Sequence, residues 1–196
     1  MSPTSWTRNR AWDLMTSWTV SPALRVHMHA VELVMRHFAP RYGADPEWWG
    51  MVGLLHDFDY ERFPNATHSA DQEHPSEGVR HLGSEGFGEE GCTAILGHAG
   101  YTGVPRTTDL AKVLFAVDEL AGFVVACTLV RPSKSLADLQ VASVLKKLKD
   151  KAFARGVSRE DVRQGAEALG VPLDTIIGEV LTALRPHEHE LGLGVE

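Results

Sequence analysis

The sequence predicts an all-α fold, a single-domain compact helical bundle, and three observations predict it. Proline follows a capping residue at Ser21-Pro22 and Asp45-Pro46, the arrangement that opens a helix with its first N–H already dispensable. Apolar residues recur at helical spacing, and no convincing segment alternates with a period of two. A length of 196 residues is most simply one domain, long enough to bury a substantial core.

Taken in order, Ser21-Pro22 opens a helix running to about Phe38, and Asp45-Pro46 opens a second that carries Trp48, Trp49, Met51, Val52, Leu54 and Leu55. From Phe58 to Glu73 the text is loop-like, with Pro64, Asn65, Thr67, Ser69 and Asp71. His74-Pro75 looks like another helix start, with Glu77 in the first turn. Glu89 to His98 forms a short helical pattern that the Gly100 to Pro105 stretch closes. Thr108 to Val130 is strongly apolar and reads as a buried helix, broken at Arg131-Pro132-Ser133. An amphipathic helix is expected from Ser135 to about Arg155-Gly156. Ser158 with Asp161 resembles a capping box for another, stopped by Gly170, and a last helix follows Pro172 to about Arg185. Residues 1–20 read as an N-terminal extension, 21–185 as the helical domain, and 186–196 as an acidic C-terminal tail.

Composition excludes several classes. The net charge of −7 argues against an extended nucleic-acid partner, which calls for a basic surface. The 43 % apolar and 23 % charged fractions are ordinary for a soluble domain. No apolar run approaches the roughly 20 residues of a membrane span, and Met1 to Arg10 lacks the apolar core of a signal peptide. No membrane partner and a cytoplasmic location are therefore expected. Cys92 and Cys127 lie in apolar helical patterns and are expected to be free buried thiols.

The chemistry concentrates in out-of-place polar residues. His56-Asp57 ends the apolar run Met51, Val52, Leu54, Leu55, and burying such groups costs several kcal/mol without a partner. His27 lies on the core stripe His27, Val31, Val34, Phe38. His98 shares a face with Ala94 and Ile95. Asp118 interrupts the stripe Leu114, Ala121, Val125, where an unpaired carboxylate protonates or destabilises the fold. Singly, each has an ordinary explanation as a hydrogen-bonded packing residue. Together, with His74 at a helix start, they form a nitrogen and carboxylate set without thiolates, suited to Mn, Fe, Co, Ni or Zn. His37, His68 and His81 read as surface or loop residues, and His187 and His189 as solvated tail residues. His29 and His68 are the two others that could line a pocket.

The order His27, His56-Asp57, His74, His98, Asp118 resembles the HD-domain superfamily of metal-dependent phosphohydrolases. His27 in His-Met-His-Ala-Val-Glu matches the first-helix histidine, His56-Asp57 the naming doublet, and Asp118 in Ala-Val-Asp-Glu-Leu-Ala-Gly the distal aspartate. His74 and His98 are similar to the extra histidines of members that hold a second metal. The resemblance runs from about Leu24 to the final helix and is nearest the bacterial HD-type hydrolases of undefined substrate, including Leu-Val-Arg-Pro-Ser-Lys-Ser-Leu at 129–136. Phe58-Asp59-Tyr60 stands where many members have Ile-Gly-Lys. Gly100-Tyr101 to Pro105 is not the contiguous Gly-Tyr-Pro of cyclic dinucleotide phosphodiesterases, and that subtype is rejected.

The resemblance implies one or two divalent transition metal ions held by His27, His56, Asp57, His74, His98 and Asp118, with Asp57 bridging if there are two. It implies hydrolysis of a small phosphorylated substrate, nucleotides included, by an activated water. Asp57 and Asp59 are the expected catalytic carboxylates, Asp59 as orienter or proton acceptor. Arg62, Arg131 and Lys134 are candidates for binding phosphate. Arg131 lies thirteen positions beyond Asp118, roughly 20 Å along an unbroken helix, which favours a structural role. The same ligand pattern also occurs in di-iron oxygenases of the superfamily, and a non-catalytic metal or nucleotide-binding module is a third reading.

Overall fold

A computed structural model describes residues 6–194. Among these, nine α-helices and no strand are present: α1 (Arg8–Trp18), α2 (Pro22–Phe38), α3 (Pro46–Leu55), α4 (Ser76–Ser84), α5 (Glu89–His98), α6 (Asp109–Leu129), α7 (Val141–Leu148), α8 (Arg159–Leu169) and α9 (Leu173–Leu184). Capping proceeds as the sequence dictates. The side chains of Ser21, Asp45, Thr108 and Ser158 accept backbone N–H groups of their own first turns, and Gly170 ends α8 in the left-handed region. No helix is long and apolar enough to cross a membrane.

Helices α2, α3, α5 and α6 pack on one another around the centre. Met28, Val31, Val34 and Met35 of α2, Val52 and Leu55 of α3, and Leu114, Val117 and Leu120 of α6 are buried there. At Gly165 of α8 an added Cβ would lie 2.5 Å from the Cα of Ala116, so α8 approaches α6 at a distance only glycine permits. Cys92 and Cys127 are free and buried.

Three parts depart from expectation. Within the supposed extension, Thr7 caps α1, which packs against α3 and buries Ala11 and Met15. The helix expected from Ser135 is confined to Val141–Leu148. Before it, Leu136 and Leu139 anchor an irregular segment in the core. After it, the Arg159 guanidinium takes the carbonyls of Asp150, Phe153, Ala154 and Val157, so the chain coils around one side chain and not around a helix axis. The tail is no free end either, because Leu191 and Leu193 are buried and the Gly194 N–H donates to the Lys134 carbonyl at 2.8 Å.

Candidate metal centre

Five elements deliver the site. His27 stands one turn into α2, His56 caps α3 and Asp57 follows it, His74 precedes α4, His98 ends α5, and Asp118 lies mid-way along α6. Because α3 stops where the apolar run stops, the doublet emerges from the core at its inner rim: His56 is fully buried while the Asp57 side chain keeps 16 % exposure.

The ligating atoms form two groups that share Asp57. In the first, His27 Nε2 lies 3.1 Å from His56 Nε2 and 3.0 Å from Asp118 Oδ1, and both imidazole nitrogens lie 3.5 Å from Asp57 Oδ2. In the second, Asp57 Oδ1 is 3.2 Å from His74 Nε2 and 3.4 Å from His98 Nε2, which are 3.3 Å from each other. Ligands bonded at about 2.1 Å to one ion stand roughly 3.0 to 3.4 Å apart in octahedral or tetrahedral sets. The spacing fits one cation in each group, with the two Asp57 oxygens divided between them.

The outward sides of the rings decide which nitrogen is available. His56 Nδ1 donates to the Gly53 carbonyl at 2.7 Å, His74 Nδ1 to Asp59 Oδ1 at 2.7 Å, and His98 Nδ1 to the Ile95 carbonyl. Each neutral ring therefore presents a lone pair on Nε2. His74 and His98 face each other acceptor to acceptor, and only a positive charge between them, a proton or a metal ion, relieves that contact. Asp59, itself buried, is held in turn by the Gly78 N–H at 2.7 Å. A Cβ on Gly78 would fall 2.6 Å from the Asp59 carboxyl carbon, which accounts for glycine there.

Charge follows the same logic. Burial opposes a proton on His27, and the Asp118 and Asp57 carboxylates overcome it, raising the group to about 10. His56 is also raised against its burial by Asp57 and Asp118. Burial works against ionised Asp57 and Asp118 too, yet the surrounding imidazoles hold both well below the usual carboxylate range. Such a concentration of affinity for positive charge could hold a cation.

A family model described as HD domain matches residues 25–122. The chain belongs to the HD-domain family. All six residues of the cluster lie inside the matched span, and comparison with curated proteins and with solved structures finds no match. The HD cluster opens into a cavity of about 430 Å³. One wall is Tyr60, Asn65, His68 and Tyr101, with the His68 ring 4.9 Å from that of Tyr101. Phe115, Glu119 and Asp161 also line it.

Thus His27, His56, Asp57, His74, His98 and Asp118 are brought together, with Asp59 directly behind His74. The three basic residues expected to bind phosphate are not. Arg62 lies over the Trp18 ring at 4.2 Å and donates to the Ser17 carbonyl at 2.9 Å. Arg131 pairs with Asp138 at 2.8 Å, beyond the far end of α6. Lys134 sits in an exposed turn beside it. Of the two uncertain histidines, His68 lines the cavity and His29 does not, being bound to Glu32 at 2.9 Å. Sequence reasoning missed Glu119, which burial and the charge of Asp118 push up to about 7.

Proposed function

We propose that the protein is a metal-dependent phosphohydrolase that uses water to cleave a small phosphate ester or anhydride, nucleotides included. The observation that carries this reading is the division of the Asp57 oxygens between two nitrogen-rich groups, His27–His56–Asp118 and His74–His98. The first group would hold one divalent transition ion and the second another. Bound there, such ions supply an acidified water near neutral pH and positive charge for phosphate oxygens. The chain's own residues orient and exclude. Asp59 fixes the His74 ring, Gly53 and Ile95 fix His56 and His98, and Asn65 and His68 offer N–H donors on the wall of the cavity. The absence of thiolates keeps the set open to Mn, Co or Fe as well as Zn.

Metal analysis of protein purified without chelators, paired with a phosphatase and nucleotide screen under anaerobic conditions with Mn or Co, tests the reading. Phosphate release is expected, and Asp57→Ala and Asp118→Ala should each lower bound metal and cut turnover by about a hundredfold or more. Unchanged metal content in both variants would sink the metal centre. Turnover only with iron and oxygen uptake would replace hydrolysis by oxygenase chemistry.

A further inference from the structure

Positive charge is concentrated in one stretch of an acidic chain. Residues 131–151 contain six lysines and arginines against two carboxylates, a net +4 within a chain of −7, so the remainder carries −11. Among the described residues, no lysine or arginine lines the cavity of the HD cluster. The basic stretch instead walls a second cavity of about 480 Å³ beyond the C-terminal end of α6, lined by Arg131, Lys146, Lys147, Ser143 and the buried Cys127. Asp150 lines it too, with its Oδ1 accepting the Ala152 N–H at 3.0 Å. The two cavities share no lining residue. Cys127 stands nine positions beyond Asp118, roughly 13 Å along the helix.

A solvated basic face needs no fixing, and this one is fixed. The Arg131 Nε donates to Asp138 Oδ1 at 2.8 Å, and the Ser133 hydroxyl holds the same carboxylate at 3.0 and 3.1 Å. An exposed pair of this kind adds little to stability, but it sets the guanidinium and leaves both Nη groups without a hydrogen-bond partner among the described residues. The Lys147 Nζ lies 4.5 Å from the centre of the Phe153 ring. Among the described residues, neither Lys146 nor Lys147 has an ion-pair partner within 4 Å. The backbone of the Arg131–Leu139 wall is pinned as well. Lys134 adopts the left-handed region at φ 46°, and its carbonyl accepts the Gly194 N–H at 2.8 Å. Glu188 takes the Ser135 hydroxyl and the Leu136 N–H at 2.8 and 2.9 Å, and Arg185 donates to the Leu136 and Leu139 carbonyls at 3.1 and 2.9 Å. Strain held by so many surroundings points to a use for the shape it preserves.

We propose that this cavity is a second ligand site, separate from the metal centre, that takes a small molecule bearing a phosphate dianion. The free Nη groups of Arg131 and the ammonium groups of Lys146 and Lys147 receive the phosphate oxygens, a planar fork and two point charges against one compact anion. Val130, Pro132 and Leu139, which also line the cavity, face the organic part of the ligand. Three cations against the one carboxylate of Asp150 leave the lining with positive charge to be met. Because the loop and the guanidinium are already fixed, binding costs little ordering. The proposal does not depend on the phosphohydrolase reading, since it concerns binding at a place where no metal ligand stands.

The test is calorimetric titration of the full chain, with chelator present, using phenylphosphonate as a dianion that cannot be hydrolysed and benzamide as its uncharged counterpart. One phosphonate per chain is expected to bind, with no measurable benzamide binding. Loss of one charge-assisted contact predicts about tenfold weaker binding in K146A and again in K147A, and loss of binding in the K146E/K147E double variant. Asp57→Ala should bind the phosphonate as the unaltered chain does, which places the ligand away from the HD cluster. Lys146 is exposed, so K146A keeps the experiment informative should changes at Lys147 disturb the contact with Phe153. Absence of phosphonate binding overturns the proposal, as does binding that survives K146E/K147E or is lost in Asp57→Ala. If the lysines serve only the C-terminal end of α7, the variants lower the melting temperature with phosphonate affinity intact, and the proposal falls. Leu129 and Val130, 49 % and 58 % exposed, lie beside the cavity. Co-sedimentation with phosphatidylglycerol vesicles in the absence of phosphonate binding would therefore make the patch a lipid surface and overturn the small-molecule site. Metal content and phosphate release, measured on the same variants, are expected to be unchanged, so the metal centre stands or falls on its own tests.

Discussion

At the scale of single residues, His74 shows how much of a site is built behind its ligands. Its ring is set by Asp59, and Asp59 by the Gly78 N–H. Replacing Asp59 by Asn keeps the shape, but the amide oxygen accepts from only one of the His74 and Gly78 donors, and the amide NH2 is set against the other. Asp59→Asn should weaken metal binding at the His74–His98 group by about ten- to a hundredfold, read as the second step of a metal titration, with the fold unchanged by circular dichroism. A variant with unaltered affinity would remove Asp59 as the orienter. The ligands themselves were legible because a charged or titratable residue on an apolar stripe contradicts its surroundings, as Asp118 does between Leu114 and Ala121. Glu119 was not, since one position round the helix from a buried stripe is where a solvated carboxylate belongs. Only the approach of α8 encloses it.

At the scale of elements, helix boundaries followed from capping chemistry wherever the cap was local, as at Ser21, Asp45 and Ser158. They did not follow where the deciding partner came from elsewhere. The turn after α7 is held by Arg159 of the next helix. Helix α1 is tied in by Arg8, which donates to Glu32 at 2.7 and 3.0 Å, while Arg36 and His29 reach the same carboxylate. Burial alone would raise Glu32, and His29 with Arg8 brings it down to about 2. A depressed folded-state value gives stability that is present above about 4.5 and is lost as pH falls toward 2. Glu32→Gln should cost about 3 kcal/mol in urea unfolding at neutral pH and flatten the acid limb. A wild-type acid limb in this variant would contradict the assignment. The α6–α8 contact is exposed to a separate measurement. Gly165→Ala pushes a methyl against the Ala116 backbone, and about 1–3 kcal/mol of lost stability is expected.

For the whole molecule, a bound metal and the proton would compete for the same groups. A folded-state value near 10 for His27 means that its protonated form stabilises the metal-free fold fully below about 6.5, and that this contribution is lost as pH rises through 10. A metal ion held there would take the place of that proton, so its affinity would rise with pH across the window. The gap in melting temperature between metal-loaded and chelator-treated protein should accordingly be wider at about pH 8 than at about pH 6. An unchanged gap would mean that the stabilising ion binds away from His27.

The acceptor-to-acceptor contact of His74 and His98, 3.3 Å apart, bears on the energy landscape. Around it the outward ring nitrogens of both histidines are satisfied. Here two groups that repel are held together by their surroundings. Such local frustration does not relax, because Asp59 and the Ile95 carbonyl each prevent a ring from turning away. The fold thus keeps a rigid demand for positive charge at one point, a demand that a bound ion would meet.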